Sequence, residues 1–136
     1  MGNFLEETKR YIGLTEADAR LLAAAGPRLE RHLPRLAELF YQKILEEEGM
    51  ARLVSAPGVL ERLKGTLQAW ARTVFGGRYD DPYAEQRRHI GETHVRAGVP
   101  QKYVISAMSL ARTFLLRAVD EEVADVQQAS ATKRAL

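Results

Sequence analysis

Apolar positions recur at three- and four-residue steps along most of the chain, and no stretch alternates as a strand would, so the pattern predicts helices throughout. Thr15, with Asp18 three residues on, reads as a helix start leading through Leu21, Leu22 and Ala25 to the punctuation at Gly26-Pro27. A longer stripe follows at Leu29, Leu33, Leu36, Phe40 and Ile44; Pro34 lies inside it and is expected to kink that helix or divide it. After the acidic run Glu46 to Glu48, Gly49 marks a break, and Pro57 suits the first turn of the next helix. That helix carries Leu60, Leu63, Leu67, Trp70 and Val74 on one face. Gly76-Gly77 and Asp80-Asp81-Pro82 form a loop. Another helix runs from about Tyr83 to Ala97, closed by Gly98 and restarted by Pro100. The last long helix shows Tyr103, Ala107, Leu110, Phe114 and Ala118. The expected architecture is an all-α bundle of about six helices.

Length and composition narrow this further. The 136 residues need no internal domain boundary, and a chain of this size buries about two-thirds of its unfolded surface. That suffices for one core and one enclosed ligand. No apolar run approaches the roughly 18 residues of a membrane span. Met1 to Arg10 carry both charge signs and form no apolar signal segment. No membrane insertion is expected, and the cytoplasm is the expected setting. The absence of cysteine removes disulfides, thiolate chemistry, most structural zinc sites and thioether-linked haem. The net charge of +2 is spread over interspersed charges of both signs, so no nucleic-acid partner is expected.

Hydrolytic and phosphoryl-transfer motifs are missing, so no enzyme activity is expected of this chain. His89 and His94 invite comparison with a zinc-protease helix, but five residues of separation put their rings about 140° apart. His94 shares a face with Ile90 and Ala97, the inward stripe of its helix. His89 lies with Glu85, Glu92 and Arg96 on a wet face, and His32, beside Arg28 and Arg31, also reads as surface. By periodicity alone His94 is either a core histidine or a ligand, with the core reading the commoner of the two.

The run from Ile90 through Gly91, His94, Gly98 and Pro100 to Tyr103 resembles the proximal segment of globin-coupled sensors and protoglobins. There an I/V-G-x-x-H helix end is followed by a turn with proline and an aromatic residue. Other landmarks agree in order and spacing. Tyr11 to Thr15 resembles the lead into the first globin helix, and Phe40-Tyr41 resembles the Phe-Tyr pair of the second. Trp70, Phe75 and the Gly77-Arg78-Tyr79-Asp80 loop resemble the corner before the proximal helix. The likeness covers nearly all of positions 10 to 126, giving a pre-globin segment at 1–14 and a sensor globin domain at 15–136.

The resemblance implies a noncovalently bound haem b with His94 as axial ligand to the iron. The second ring nitrogen of His94 is then expected to donate to a backbone carbonyl or water. The resemblance makes Tyr41 the distal hydrogen-bond donor to a bound gas; a core tyrosine is the alternative. Such a bond, about 1–1.5 kcal/mol net, is worth roughly tenfold in O2 affinity. Leu63 and Thr66 fall at distal-pocket positions, Leu63 as a wall and Thr66 as a second donor. Phe40, Trp70 and Tyr103 are candidates for packing on the ring, and Arg87, Arg88 and Lys102 for meeting the propionates. All of these also read as ordinary core or solvated residues.

Two positions depart from the family pattern. Val104 stands where many relatives have a tyrosine, and the sequence stops at Leu136, about where the family's final helix begins. A globin-like fold shortened at its last helix is therefore expected, with homodimerisation through the last helices. The implied function is a sensor of O2, or of CO or NO, that signals to a downstream output module. The alternatives are a protoglobin-like gas-binding haem protein without signalling, such as a dioxygenase for NO, and a cofactor-free helical module.

Overall fold

The structure, a computed structural model, describes residues 3–136; the first two residues of the 1–14 segment lie outside the described part. Among the described residues there are eight α-helices, one 3-10 turn and no strand: α1 Asn3–Ile12, α2 Glu16–Leu29, the turn Glu30–His32, α3 Leu33–Glu46, α4 Glu48–Leu53, α5 Val59–Val74, α6 Asp81–Ala97, α7 Gln101–Glu122 and α8 Val126–Ala135. The all-α expectation holds. α1, α4 and α8 are additions to the helices read from the pattern.

Local sequence sets most boundaries. Thr15 caps α2 in a reciprocal box: the Asp18 amide donates to Thr15 Oγ1 at 3.2 Å, and the Thr15 amide donates to Asp18 Oδ2 at 2.9 Å. Asp80 caps α6 by accepting from the Tyr83 amide, and Gly98 ends it in the left-handed region at φ +75°. Asp125 caps α8 through the Gln128 amide.

Three boundaries differ from expectation. α2 continues through Gly26-Pro27, because Gly26 answers to packing and not to turning. A Cβ there would lie 3.2 Å from both Cβ and the carbonyl oxygen of Phe75. The break falls at Glu30–His32, where the chain tightens to 3-10 geometry, and Pro34 sits harmlessly in the first turn of α3. Gly49 lies inside α4, and the extended residue Glu47 makes the break (φ −98°, ψ 113°). α5 starts after Gly58, whose positive φ of 79° only glycine adopts freely, so Pro57 precedes the helix instead of opening it.

The core is lopsided. α3 pairs closely with α5, and α2 packs against α8 and α7. Leu22, Ala25 and Leu29 of α2, Leu33, Leu36 and Ala37 of α3, and Ala111, Leu115, Ala118 and Val119 of α7 are all buried. In the first half of α7, Tyr103, Val104, Ala107 and Met108 are only half-buried. α6 buries no side chain and makes at most glancing contact with any other helix.

Candidate functional site

α6 has an unusual surface for a helix inside a globular chain. Tyr83, Ala84, Arg87, Ile90 and His94 are half-buried and share one face, while the remaining positions are exposed. The spacing confirms that His94 belongs to the inner stripe and His89 to the outer one. This face, half-buried yet in only slight contact with any other helix, leaves room for its side chains to meet something other than a neighbouring helix.

His94 lies in the last turn of α6. Its backbone carbonyl accepts from the Val99 amide at 3.0 Å, so the Gly98 cap fixes its main chain. No described residue engages either ring nitrogen. Both nitrogens remain free to bind.

Tyr41 is the second polar group without a partner. It is 8% exposed and belongs to the core cluster, where its ring meets Phe40 edge-on with centroids 5.1 Å apart. No described residue hydrogen-bonds its hydroxyl, and burial alone pushes its pKa up to about 12. The ring is buried, but the hydroxyl oxygen is not sealed, since no buried side-chain polar atom among the described residues lacks a partner; the phenol is an open, protonated donor at the edge of the core.

The other candidates fall into two groups. Leu63 and Trp70 on α5 are half-buried against the core, Tyr103 on α7 is half-buried, and Phe40 is buried. Thr66 is exposed, and its hydroxyl donates to the Arg62 carbonyl of its own helix at 3.0 Å, so in this rotamer it offers no donor to a ligand. Arg88 is bound by Glu85 and Glu92 along α6. Arg87 donates to Thr73 Oγ1 at 2.8 Å and lies over the Tyr83 ring. Lys102 lies over the ring of Tyr103, 5.1 Å from its centroid. Of the three cations considered for propionates, Lys102 alone has no hydrogen bond or ion pair to a described residue.

Two features were missed in the sequence. Tyr83 and Thr73 enclose Arg87; the four-residue step from Tyr83 to Arg87 on the inner face was the available signal. His32 is not a surface residue. Its side chain is 16% exposed, and Nε2 meets Glu122 Oε1 at 2.7 Å, while Arg31 joins the same carboxylate. The two bonds hold the Glu122 carboxyl below its usual range.

Two surface clefts are also present, one of about 600 Å³ between Arg72, Asp80 and Tyr83 and one of about 460 Å³ between Ala23, Leu33 and Phe75. Neither includes His94 or Tyr41. Among the described residues no cluster of His, Asp and Glu could hold a metal ion, and no helix is long and apolar enough to cross a membrane.

Comparison with known proteins places this arrangement. The Protoglobin family model matches residues 3–136. The heme-based aerotactic transducer HemAT of Halobacterium salinarum is 30% identical over 117 residues, which span 85% of this chain and 24% of that protein. The chain thus spans about a quarter of the length of that curated relative. The globin domain of the Geobacter sulfurreducens globin-coupled sensor superposes with a TM-score of 0.89 at 33% identity, covering 96% of this chain and 86% of the other. The globin domain of Escherichia coli DosC in its ferric form gives 0.79 at 20% identity over 93% and 87%, a likeness of fold alone.

Proposed function

The chain belongs to the protoglobin family, as a globin domain of the globin-coupled sensor type, and from that premise we propose that it holds haem b noncovalently and reversibly binds a diatomic gas, O2 foremost. His94 would hold the iron through a ring nitrogen, and Tyr41 would donate a hydrogen bond to the bound gas. The observation that supports this reading is the pair of polar heads that no described residue engages: the Tyr41 hydroxyl at the edge of the core and the His94 imidazole on the inner face of a loosely held helix. The donor set fits a porphyrin. One imidazole and apolar side chains from Phe40, Leu63, Trp70 and Tyr103 suit haem, and among the described residues no His, Asp and Glu cluster suits a bare metal ion.

When bound, the haem supplies a ferrous iron with one coordination position for the gas. The protein's own residues do the rest. His94 would hold the metal through one ring nitrogen and donate from the other to a backbone carbonyl or water. Tyr41 remains protonated up to about pH 12 and so donates at every physiological pH. A polarised ligand such as O2 gains more from that donor than CO does. Leu63 excludes water from the gas side. Signalling to an output module and pairing through α7 and α8 complete the sensor reading. The N-terminal segment 1–14, with α1, is its pre-globin part.

The test is an absorption spectrum of the reduced, haem-loaded protein with and without O2. The expected result is a shift of the visible bands that reverses when the gas is removed. Immediate, irreversible oxidation in air would overturn the sensing role and favour a gas-converting one.

A further inference from the structure

α6 presents the proposed axial ligand, yet little holds it. Among the described residues the hydrogen bond from Arg87 to Thr73 Oγ1, 2.8 Å, is the single side-chain hydrogen bond from α6 to another helix. The remaining polar pairs of α6 side chains are local: Arg87 to Gln86, Arg88 to Glu85 and Glu92, Thr93 to the His89 carbonyl, and Arg96 to Thr93. The Arg87 guanidinium also lies 4.2 Å from the centroid of Tyr83 and 5.5 Å from that of Trp70 on α5, both within cation–π range. Thr73 is itself fixed, since its hydroxyl donates to the Trp70 carbonyl at 2.6 Å. Tyr83 is braced edge-on by Tyr79, whose hydroxyl donates to the Val74 carbonyl. A planar cation is therefore gripped by the last turn of α5 and the first turns of α6.

Arg87 and His94 are seven residues apart. On an α-helix that is two turns less about 20°, so both lie on one face, about 10.5 Å apart along the axis. We propose that Arg87 is a positioning residue: by anchoring α6 on Trp70 and Thr73, it fixes the rotation of that helix about its own axis and so the direction in which the His94 imidazole points. The proposal rests on the reading of His94 as the axial ligand. It assigns Arg87 away from the haem propionates. Without the clamp α6 still forms, because its Asp80 and Gly98 caps are local, but it rolls, and the imidazole meets the metal at a spread of angles.

The test uses the full haem-loaded chain in its ferrous, gas-free state and reads the iron–imidazole stretching band by resonance Raman. Arg87→Lys keeps the charge but loses the planar fork, and Thr73→Val removes the acceptor, along with its own bond to the Trp70 carbonyl, while leaving Arg87 in place. Each is compared in two backgrounds: with His94, and in His94→Gly reconstituted with free imidazole, where the ligand is detached from α6. With His94 present, both variants should shift and broaden the band and release haem to an acceptor protein on the order of tenfold faster. With free imidazole, the unaltered and substituted chains should give the same band. A band that ignores both substitutions overturns the clamp alone. So does a shift that persists with free imidazole, since Arg87 would then be acting on the porphyrin directly. Absence of the band in the unaltered chain overturns the axial reading and the clamp together.

Discussion

The two sides of this molecule are built differently. On one side α2, the second half of α7 and α8 bury leucines, alanines and Val119 almost completely, and even the polar Thr132 is sealed, its hydroxyl donating to the Gln128 carbonyl. On the other side α5, α6 and the first half of α7 leave Leu63, Trp70, Ile90, Tyr103 and Met108 half-covered. The apolar composition of the two sides is similar. What differs is whether protein supplies the opposing surface. A side that packs to completion fixes the fold, and a side that does not leaves its apolar area to a ligand.

That contrast can be broken by substitution. The largest effect is expected in the packed half: Leu115→Ala and Leu29→Ala should each lose about 3 kcal/mol in denaturant unfolding, while Leu63→Ala costs about 1 kcal/mol in the haem-free protein. Equal costs would mean that the two sides are packed alike. Hydrogen exchange sharpens the same point. Amides of α6 should exchange fastest among the long helices of the haem-free protein and slow markedly once haem is bound, with little change in α2 or α8. At a thousandfold excess over its dissociation constant, a ligand confined to the native state adds about 4 kcal/mol. Uniform slowing throughout would argue against a ligand seated on one side.

Much of this was legible in the chain because it is locally encoded. The caps at Thr15 and Gly98 and the stripes of α3, α5 and α7 depend on neighbours within a turn or two, and the structure has them where the pattern put them, whereas Asp80, read as loop, caps α6, which takes in Asp81 and Pro82. The exceptions are set from far away in sequence. Gly26 is a packing glycine because Phe75, nearly fifty positions later, comes against it. His32 looked like one of three surface cations, but a carboxylate ninety residues on encloses it. α8 carries a weak stripe and is held chiefly by α2, and α1 is amphipathic but leaves Phe4, Tyr11 and Ile12 exposed. At the site, the periodicity put His94 on the inner face without revealing that its ring has no protein partner. Arg87 was read as a propionate candidate because nothing local shows Thr73 beneath it.

Two smaller effects test single groups on either side. Tyr41→Phe should raise the O2 dissociation rate several-fold and alter CO release less. In the unaltered chain the O2 rate should stay flat through pH 10, where an ordinary tyrosine ionises, since this hydroxyl keeps its proton to about pH 12. Because the folded value lies above the unfolded one, the same group makes the protein lose stability as pH rises from 10 towards 12, and Tyr41→Phe should remove that loss. Equal responses of both gases would remove the distal donor.

The smallest effect belongs to Glu122. Its carboxyl is lowered by His32 first and Arg31 second, so its contribution is present above the ordinary carboxylate range and is lost as pH falls through the lowered folded value. Glu122→Gln should flatten the fall in Tm between about pH 5 and pH 3. An unchanged acid limb would show that this contact adds nothing to the packed half.

The central claim is that one imidazole on the open side, His94, captures the porphyrin metal. A haemin titration of the unaltered chain beside His94→Ala, followed in the Soret band, tests it most directly. The account predicts saturation at one equivalent for the unaltered chain and no stable complex for the variant. A chain that stays colourless with haemin, or a variant that takes it up as fully as the original, would contradict it.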